Sequence, residues 1–264
     1  MTATLTLSLD NLGEAADLER GLWPPDEPIG RHPSARQALP ALLAVLHEQR
    51  LTATFFIEAS NVAIYPDAIA AITRGGHELG LHGWRHESWA SLDPEREADI
   101  LERGVEAYAG AGVVVRGFRP PGGKLTPASP RLLHGAGLRW CSPQGEHAPL
   151  VRTGLAVIPF RWPLVDAYYL APHFDGRREE RGDPSEPFAP EAMADRLLAE
   201  LDALADEGGH RTLVLHPFLS VEPATLAAVT RVLGEVGARA AAGRLTVGPG
   251  GPLAQRLLDE AGGG

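Results

Sequence analysis

The sequence predicts one α/β domain closed into a barrel, and three observations predict it. Short apolar, β-branched runs alternate with longer helical patterns along the chain, the alternation that gives parallel strands joined by helices. About seven such runs are present, which favours a barrel over a small open sheet. The 264 residues suit a single core, with no repeat or interdomain linker, so the domain spans 1–264.

The candidate strands are Thr4–Leu9, Ala53–Ile57, Glu78–Leu81, Val113–Phe118, Leu138–Cys141, Leu155–Ile158 and Thr212–Leu215. They are short and apolar, as buried strands of a parallel sheet are. Between them the spacing predicts helices over about Ser34–Glu48, Asn61–Arg74, Pro94–Ala109, Pro130–His134, Pro190–Asp206 and Pro223–Ala241. Several open on proline, as in Ser129-Pro130 and Ala189-Pro190, where the missing N–H costs nothing. Two stretches read as excursions. Gly21–Pro33 is dense in proline and is expected to loop over the barrel mouth. His173–Pro190 is polar and proline-bearing, and reads as a solvated surface loop, a lid or an interface segment. The terminal AGGG is expected to fray.

Composition narrows the function. Hydrophobic residues at 44% and charged residues at 22% describe an ordinary soluble globule. A net charge of −10 argues against general binding to nucleic acid or anionic membrane, although a local basic pocket is allowed. Cys141 is the single cysteine, so no intrachain disulfide forms. The start, MTATLTLSLDN, has no basic region followed by an apolar stretch, and no window has the length of a membrane span. A cytoplasmic protein acting on a small-molecule substrate is the expectation.

Functional groups of parallel α/β folds gather at the C-terminal ends of the strands. Here the first strand ends in Asp10-Asn11 with Glu14 beyond, and the third runs into HGWRHES, carrying His82 and His86. The fourth ends in Arg119, the run after Ile158 reaches Trp162 and Asp166, and the last ends in His216-Pro. Each group alone has a structural reading: a turn or cap aspartate, an ion-paired arginine, a packed histidine. The spacing of His82 and His86 lets two imidazoles converge on one ion if the segment is helical or tightly turned. Two imidazoles and an oxygen ligand leave open positions for water and a carbonyl; a nearby carboxylate can take a proton, and a histidine opposite can return one. That set is complete for hydrolysing an amide. Most of the tryptophans, Trp23, Trp84, Trp89, Trp140 and Trp162, are assigned to packing.

The motifs SLDN, ATFFIEASN, GHELGLHGWRHESW, GFRPPGG and VLHPF resemble, over about residues 4–220, the polysaccharide deacetylases of carbohydrate esterase family 4. The resemblance implies a distorted (β/α) barrel, with His82 and His86 as metal ligands, His216 as general acid and Arg119 as the orienting arginine. Asp166 is the partner carboxylate by a looser match. HGWRHE and LHP resemble the intracellular branch, which includes cell-wall-type deacetylases, allantoin and cyclic-imide hydrolases and lipid-sugar deformylases, and whose members are often homo-oligomers. One divalent ion is implied, zinc first, with cobalt, nickel or manganese as alternatives.

The first motif departs from the family pattern, which has two neighbouring aspartates, the first a general base and the second a metal ligand. Here the second is Asn11. Either Asp10 is the base and Asn11 offers its amide oxygen, or Asp10 is the ligand and Glu14 substitutes as base. Adjacent strand residues point to opposite faces, which favours Asp10 as ligand unless the strand has already ended. The leading expectation is hydrolysis of a small N-acyl or N-formyl compound. Ring opening of a cyclic amide is the alternative, and Asn11 also admits a metal-poor homologue that binds without turnover.

Overall fold

The computed structural model describes residues 3–263. Its sheet contains β1 (Thr4–Asp10), β2 (Thr54–Ile57), β3 (Glu78–Leu81), β4 (Gly117–Phe118), β5 (Trp140–Cys141), β6 (Leu150–Arg152), β7 (Leu155–Val157), β8 (His210–Leu215) and β9 (Thr246–Gly248). The order is β6-β7-β5-β4-β3-β2-β1-β8, with β9 pairing the first half of β1. Every pairing is parallel except the β6–β7 hairpin. The sheet curls until the chain after β7 meets β8, where Val165 bridges Val214 and Thr212 donates to the carbonyl of Pro159 at 2.8 Å. The result is the expected distorted (β/α) barrel, closed by single contacts rather than a continuous ladder.

The helices are α1 (Ala15–Glu19), α2 (Leu39–Glu48), α3 (Ser60–Ile64), α4 (Pro66–Arg74), α5 (Pro94–Gly110), α6 (Ser129–Gly135), α7 (Asp166–Leu170), α8 (Asp175–Glu180), α9 (Pro190–Glu207), α10 (Pro223–Ala241) and α11 (Gly250–Gly262). None of those described is long and apolar enough to cross a membrane. Strand alternation sets the layers. Leu5, Leu7 and Leu9 of β1 enter the main core beside Leu42, Leu46, Val229 and Val232, whereas Thr6, Ser8 and Asp10 face the barrel interior. A second, smaller cluster of Phe56, Trp140, Ala156, Ile158 and Ala254 packs α11 against the end where the strands begin. There Gly250 donates to Thr54 Oγ1 and Gly251 to Glu78 Oε2, each at 2.9 Å, so a carboxylate meets the helix N-terminus. Gly250 is required, because a Cβ there would lie 2.2 Å from the Trp140 ring. The opposite end, where the strands finish, is left open.

Several elements differ from the sequence expectation. The run Val113–Phe118 is strand only at Gly117–Phe118, because the ladder with β3 begins at Gly80↔Gly117, and Val114 is exposed. Asn61–Arg74 is two helices, broken where Tyr65 (φ −125°, ψ 56°) precedes Pro66. The AGGG terminus belongs to α11 as far as Gly262, and Gly264, like Met1 and Thr2, lies outside the described residues.

His173–Pro190 is largely exposed, yet it is not an unstructured loop. It contains α8, and Arg178 within it is fully buried. The guanidinium of Arg178 donates to the carbonyls of Tyr168 (2.7 Å), Ala171 (3.0 Å), Pro184 (3.1 Å) and Ser185 (3.1 Å), folding the segment around itself. Tyr168 adds a hydrogen bond to Asp183 at 2.6 Å, and Tyr169 packs edge-on against Phe188. Replacing Arg178 by Met would leave these carbonyls without donors, at a cost of roughly 3 kcal/mol. Arg178→Met is therefore expected to lower the melting temperature and expose residues 181–188 to limited proteolysis; wild-type protease resistance would contradict this assignment.

Candidate active site

The ends of β1, β3, β4 and β8, with the start of α7, build the site. β1 sends Ser8 and Asp10 inward and stops at Asp10, and Asn11 then adopts a left-handed conformation (φ 64°). Asparagine tolerates that conformation better than most residues. The turn lets Asp10 and Asn11 line one cavity despite being adjacent.

β3 ends at Leu81, and HGWRHES then folds as a tight turn rather than a helix. Gly83 (φ 74°) and His86 (φ 71°) are both left-handed. Glu87 closes the turn, its buried carboxylate accepting from the amides of Trp84 and Arg85 at 3.0 Å each. Gly83 makes room for that carboxylate, since a Cβ would lie 2.7 Å from Oε2. The two imidazoles meet edge to face, 4.9 Å between ring centres. His82 Nδ1 lies 2.8 Å from the carbonyl of Arg119. A carbonyl can only accept, so Nδ1 carries the proton and Nε2 keeps its lone pair. Burial pushes the pKa of His82 down to about 3. His86 is also held well below the ordinary value, by burial and then by the charges of His82 and Arg20. Both rings are neutral at physiological pH.

Arg119 follows β4 and is buried. Its Nη1 donates to Asp10 Oδ1 at 2.6 Å and Ser8 Oγ at 2.8 Å, and its Nη2 to Ser142 Oγ at 2.8 Å. Phe56 lies 4.3 Å from the guanidinium carbon and Phe160 5.2 Å. Across the barrel closure, Asp166 begins α7 and holds His216 at the end of β8. The His216 amide donates to Oδ2 at 2.7 Å, and Nδ1 lies 2.5 Å from Oδ1. Burial alone would favour the neutral imidazole, but the charge and hydrogen bond of Asp166 outweigh it, with help from Asp10, and the pKa of His216 is raised.

Asp10, His82, His86, Arg119 and His216 therefore line a single cavity of about 980 Å³, with Asp166 buried behind His216. Glu14 is not among them. It is fully buried, with Oε1 held by the amide of Gly30 and Oε2 by the hydroxyl of Tyr65 at 2.6 Å, so it fastens the Gly21–Pro33 loop instead of facing the cavity. The expected ligand set Asp10, His82 and His86 is not gathered as a group of three. Among the described residues no group of three or more His, Cys, Asp or Glu is arranged to hold an ion, and Asp10 is engaged by Arg119. The donor chemistry that does fit a divalent ion is the pair of neutral imidazoles, with Asn11 on the same cavity wall. Glu58, not foreseen, lies buried beneath this turn. Its Oε2 accepts from the Leu12 amide at 3.3 Å, and burial pushes its pKa to about 8, despite hydrogen bonds that oppose the shift.

Residues 27–141 match the family model for polysaccharide deacetylase. Over that stretch the chain is similar to the polysaccharide deacetylases. It is 36% identical over 87 residues to chitin deacetylase 1 of Saccharomyces cerevisiae, covering 33% of this chain and 29% of that protein. It is 28% identical over 90 residues to peptidoglycan deacetylase of Helicobacter pylori, covering 34% and 27%. The matched stretch thus spans under a third of these curated relatives. A crystal structure from Mycobacterium smegmatis, described as a polysaccharide deacetylase, is similar over 98% of this chain and 91% of its own, with 28% identity and a TM-score of 0.81. The matched residues contain the second strand, the HGWRHES turn and Arg119, while Asp10 and the His216–Asp166 pair lie outside them.

The raised pKa of His216 has a measurable consequence. A proton donor is active below its pKa, so activity should fall as pH rises through that raised value. Asp166→Asn removes the attraction that raises it, and the basic limb of the pH–rate profile should move to lower pH. His216→Ala should lower kcat about a hundredfold or more. An unmoved basic limb in Asp166→Asn would contradict this pairing.

Proposed function

We propose that the protein is a metal-dependent hydrolase that removes the acyl group, acetyl or formyl, from the nitrogen of a small substrate. The observation that carries this reading is the pairing of Asp10 with Arg119 and of His216 with Asp166 in one cavity beside two neutral imidazoles. Asp10 takes the proton of the attacking water, held in place by Arg119. His216, its pKa raised by Asp166, hands a proton from Nε2 to the departing amine while Asp166 retains Nδ1. His82, His86 and the amide oxygen of Asn11 would hold the ion, zinc being expected. A bound ion supplies Lewis acidity to the carbonyl and lowers the pKa of its water. This assignment makes Asp10 the base rather than a ligand, and needs no part for Glu14.

The test is a panel of N-acetyl and N-formyl amino sugars and amino acids with protein loaded with zinc, cobalt, nickel or manganese. Release of acetate or formate with a free amine supports the reading. Gain of water in one unfragmented molecule, from a cyclic imide or hydantoin, would replace it with ring opening. No turnover and no bound metal by elemental analysis would overturn it in favour of a binding homologue. If Asn11 is the oxygen donor, Asn11→Asp adds a charged ligand and should tighten zinc at least about tenfold, read by competition with a chromogenic chelator. Unchanged zinc affinity would remove Asn11 from the site.

A further inference from the structure

Beyond the groups assigned to the reaction, the cavity wall carries three cations, Arg20, Lys124 and Arg177. None has a carboxylate within 4.0 Å among the described residues. Arg20, at the end of α1, brings Nη2 to 3.4 Å from His86 Nδ1. Its charge acts on His86 and on His173, at the exposed rim of the cavity. Arg177 of α8 lies with its guanidinium carbon 4.5 Å from the centre of the Trp162 ring. Trp162 is fixed by its indole N–H, which donates to Gln144 Oε1 at 3.0 Å, and by Phe160 and Phe174 at 5.3 and 5.0 Å. A guanidinium held over a ring in this way keeps N–H donors free at its edge.

The carboxylates on the same wall do not cancel these charges. Asp10 is taken by Arg119, Asp17 faces His32 at 3.5 Å, and Glu87 is bound by two backbone amides. Only Glu19 and Glu222 are uncommitted; both are solvent-exposed, as is Arg20. A guanidinium in a cavity binds planar or tetrahedral anions through charge-assisted hydrogen bonds.

We propose that Arg20 and Arg177 form a subsite for an anionic group, a carboxylate or a phosphate, carried by the substrate on the part remote from its amide. The proposal rests on the N-acyl hydrolase reading and specifies its substrate class: acidic N-acyl compounds in preference to neutral ones.

Three compounds with one amide in common test it: N-acetylglucosamine, N-acetylmuramic acid and N-acetylglucosamine 6-phosphate. With the metal-loaded enzyme, at least one acidic member should exceed the neutral sugar in kcat/KM by about tenfold or more, chiefly through KM. The carboxylate and phosphate members separate the two sources of the anion. Arg20→Gln with Arg177→Gln should collapse that ratio towards one, and Arg177→Lys should retain part of it. Equal kcat/KM for all three compounds, or an unaltered ratio in the double variant, overturns the proposal. If no member is hydrolysed, the hydrolase reading is left to the wider panel above, and calorimetric titration with the same three compounds decides the subsite separately. Selective binding of an acidic member, lost in the double variant, upholds it; equal or absent binding of all three overturns it.

Discussion

Arg119 is 1% exposed, and its guanidinium joins parts of the chain that are far apart in sequence. It reaches Ser8 and Asp10 on β1 and Ser142 just beyond β5, while its own carbonyl fixes the ring of His82 after β3. An unpaired guanidinium at this depth would cost several kcal/mol. Arg119 and Asp10 are therefore a unit: each makes the other's burial tolerable. The aromatic walls of Phe56 and Phe160 confine the guanidinium. Through this one side chain the orientation of a carboxylate and the tautomer of an imidazole become the same structural fact.

The second constraint is how the strands end. A parallel strand would send neighbouring residues to opposite faces, yet the site requires Asp10 with Asn11 and His82 with His86. Left-handed residues solve this at both places, Asn11 after β1, and Gly83 and His86 after β3. Each costs conformational energy, and each is repaid by contacts that fix the turn. Leu12 donates to Glu58 below the first, and Glu87 accepts two amides inside the second. Such strain gathers where function needs side chains that regular structure would separate.

These two features show what the sequence could and could not convey. β1, β2, β3 and β8 were legible within two residues at each end, because apolar runs between turn residues leave little freedom. β4 and β5 were read too long, and β6 and β9 not at all, since two or three residues become strand only when a neighbour offers a ladder. The strand-end rule found Asp10, His82, Arg119, Asp166 and His216. Applied to β2 it would also have found Glu58 in FFIE, one residue beyond Ile57. It left the role of Asp10 open, because both readings turned on whether the strand had already ended at that residue, and the strand does end there. Glu14 looked catalytic by position alone; its partners Gly30 and Tyr65 come from distant segments. Arg20 and Arg177 gave no signal, because neither sits at a strand end and the Arg178 knot that shapes α8 is a tertiary event.

Asn11 acquires its meaning from the charge balance around it. A second aspartate there would place another negative charge next to Asp10 and above Glu58. With asparagine, and with burial raising the pKa of Glu58 to about 8, the charge of Asp10 is offset by Arg119. Asp166 is likewise paired with His216, whose pKa it raises. A chain of net charge −10 thus contains a cavity in which Asp10 is offset by Arg119, while Arg20 and Arg177 carry no carboxylate partner among the described residues. If Asn11 is the oxygen ligand proposed above, its missing charge weakens the hold on a cation and lowers the electrostatic barrier to an acidic substrate. One substitution, at the residue where the first strand turns, acts on both.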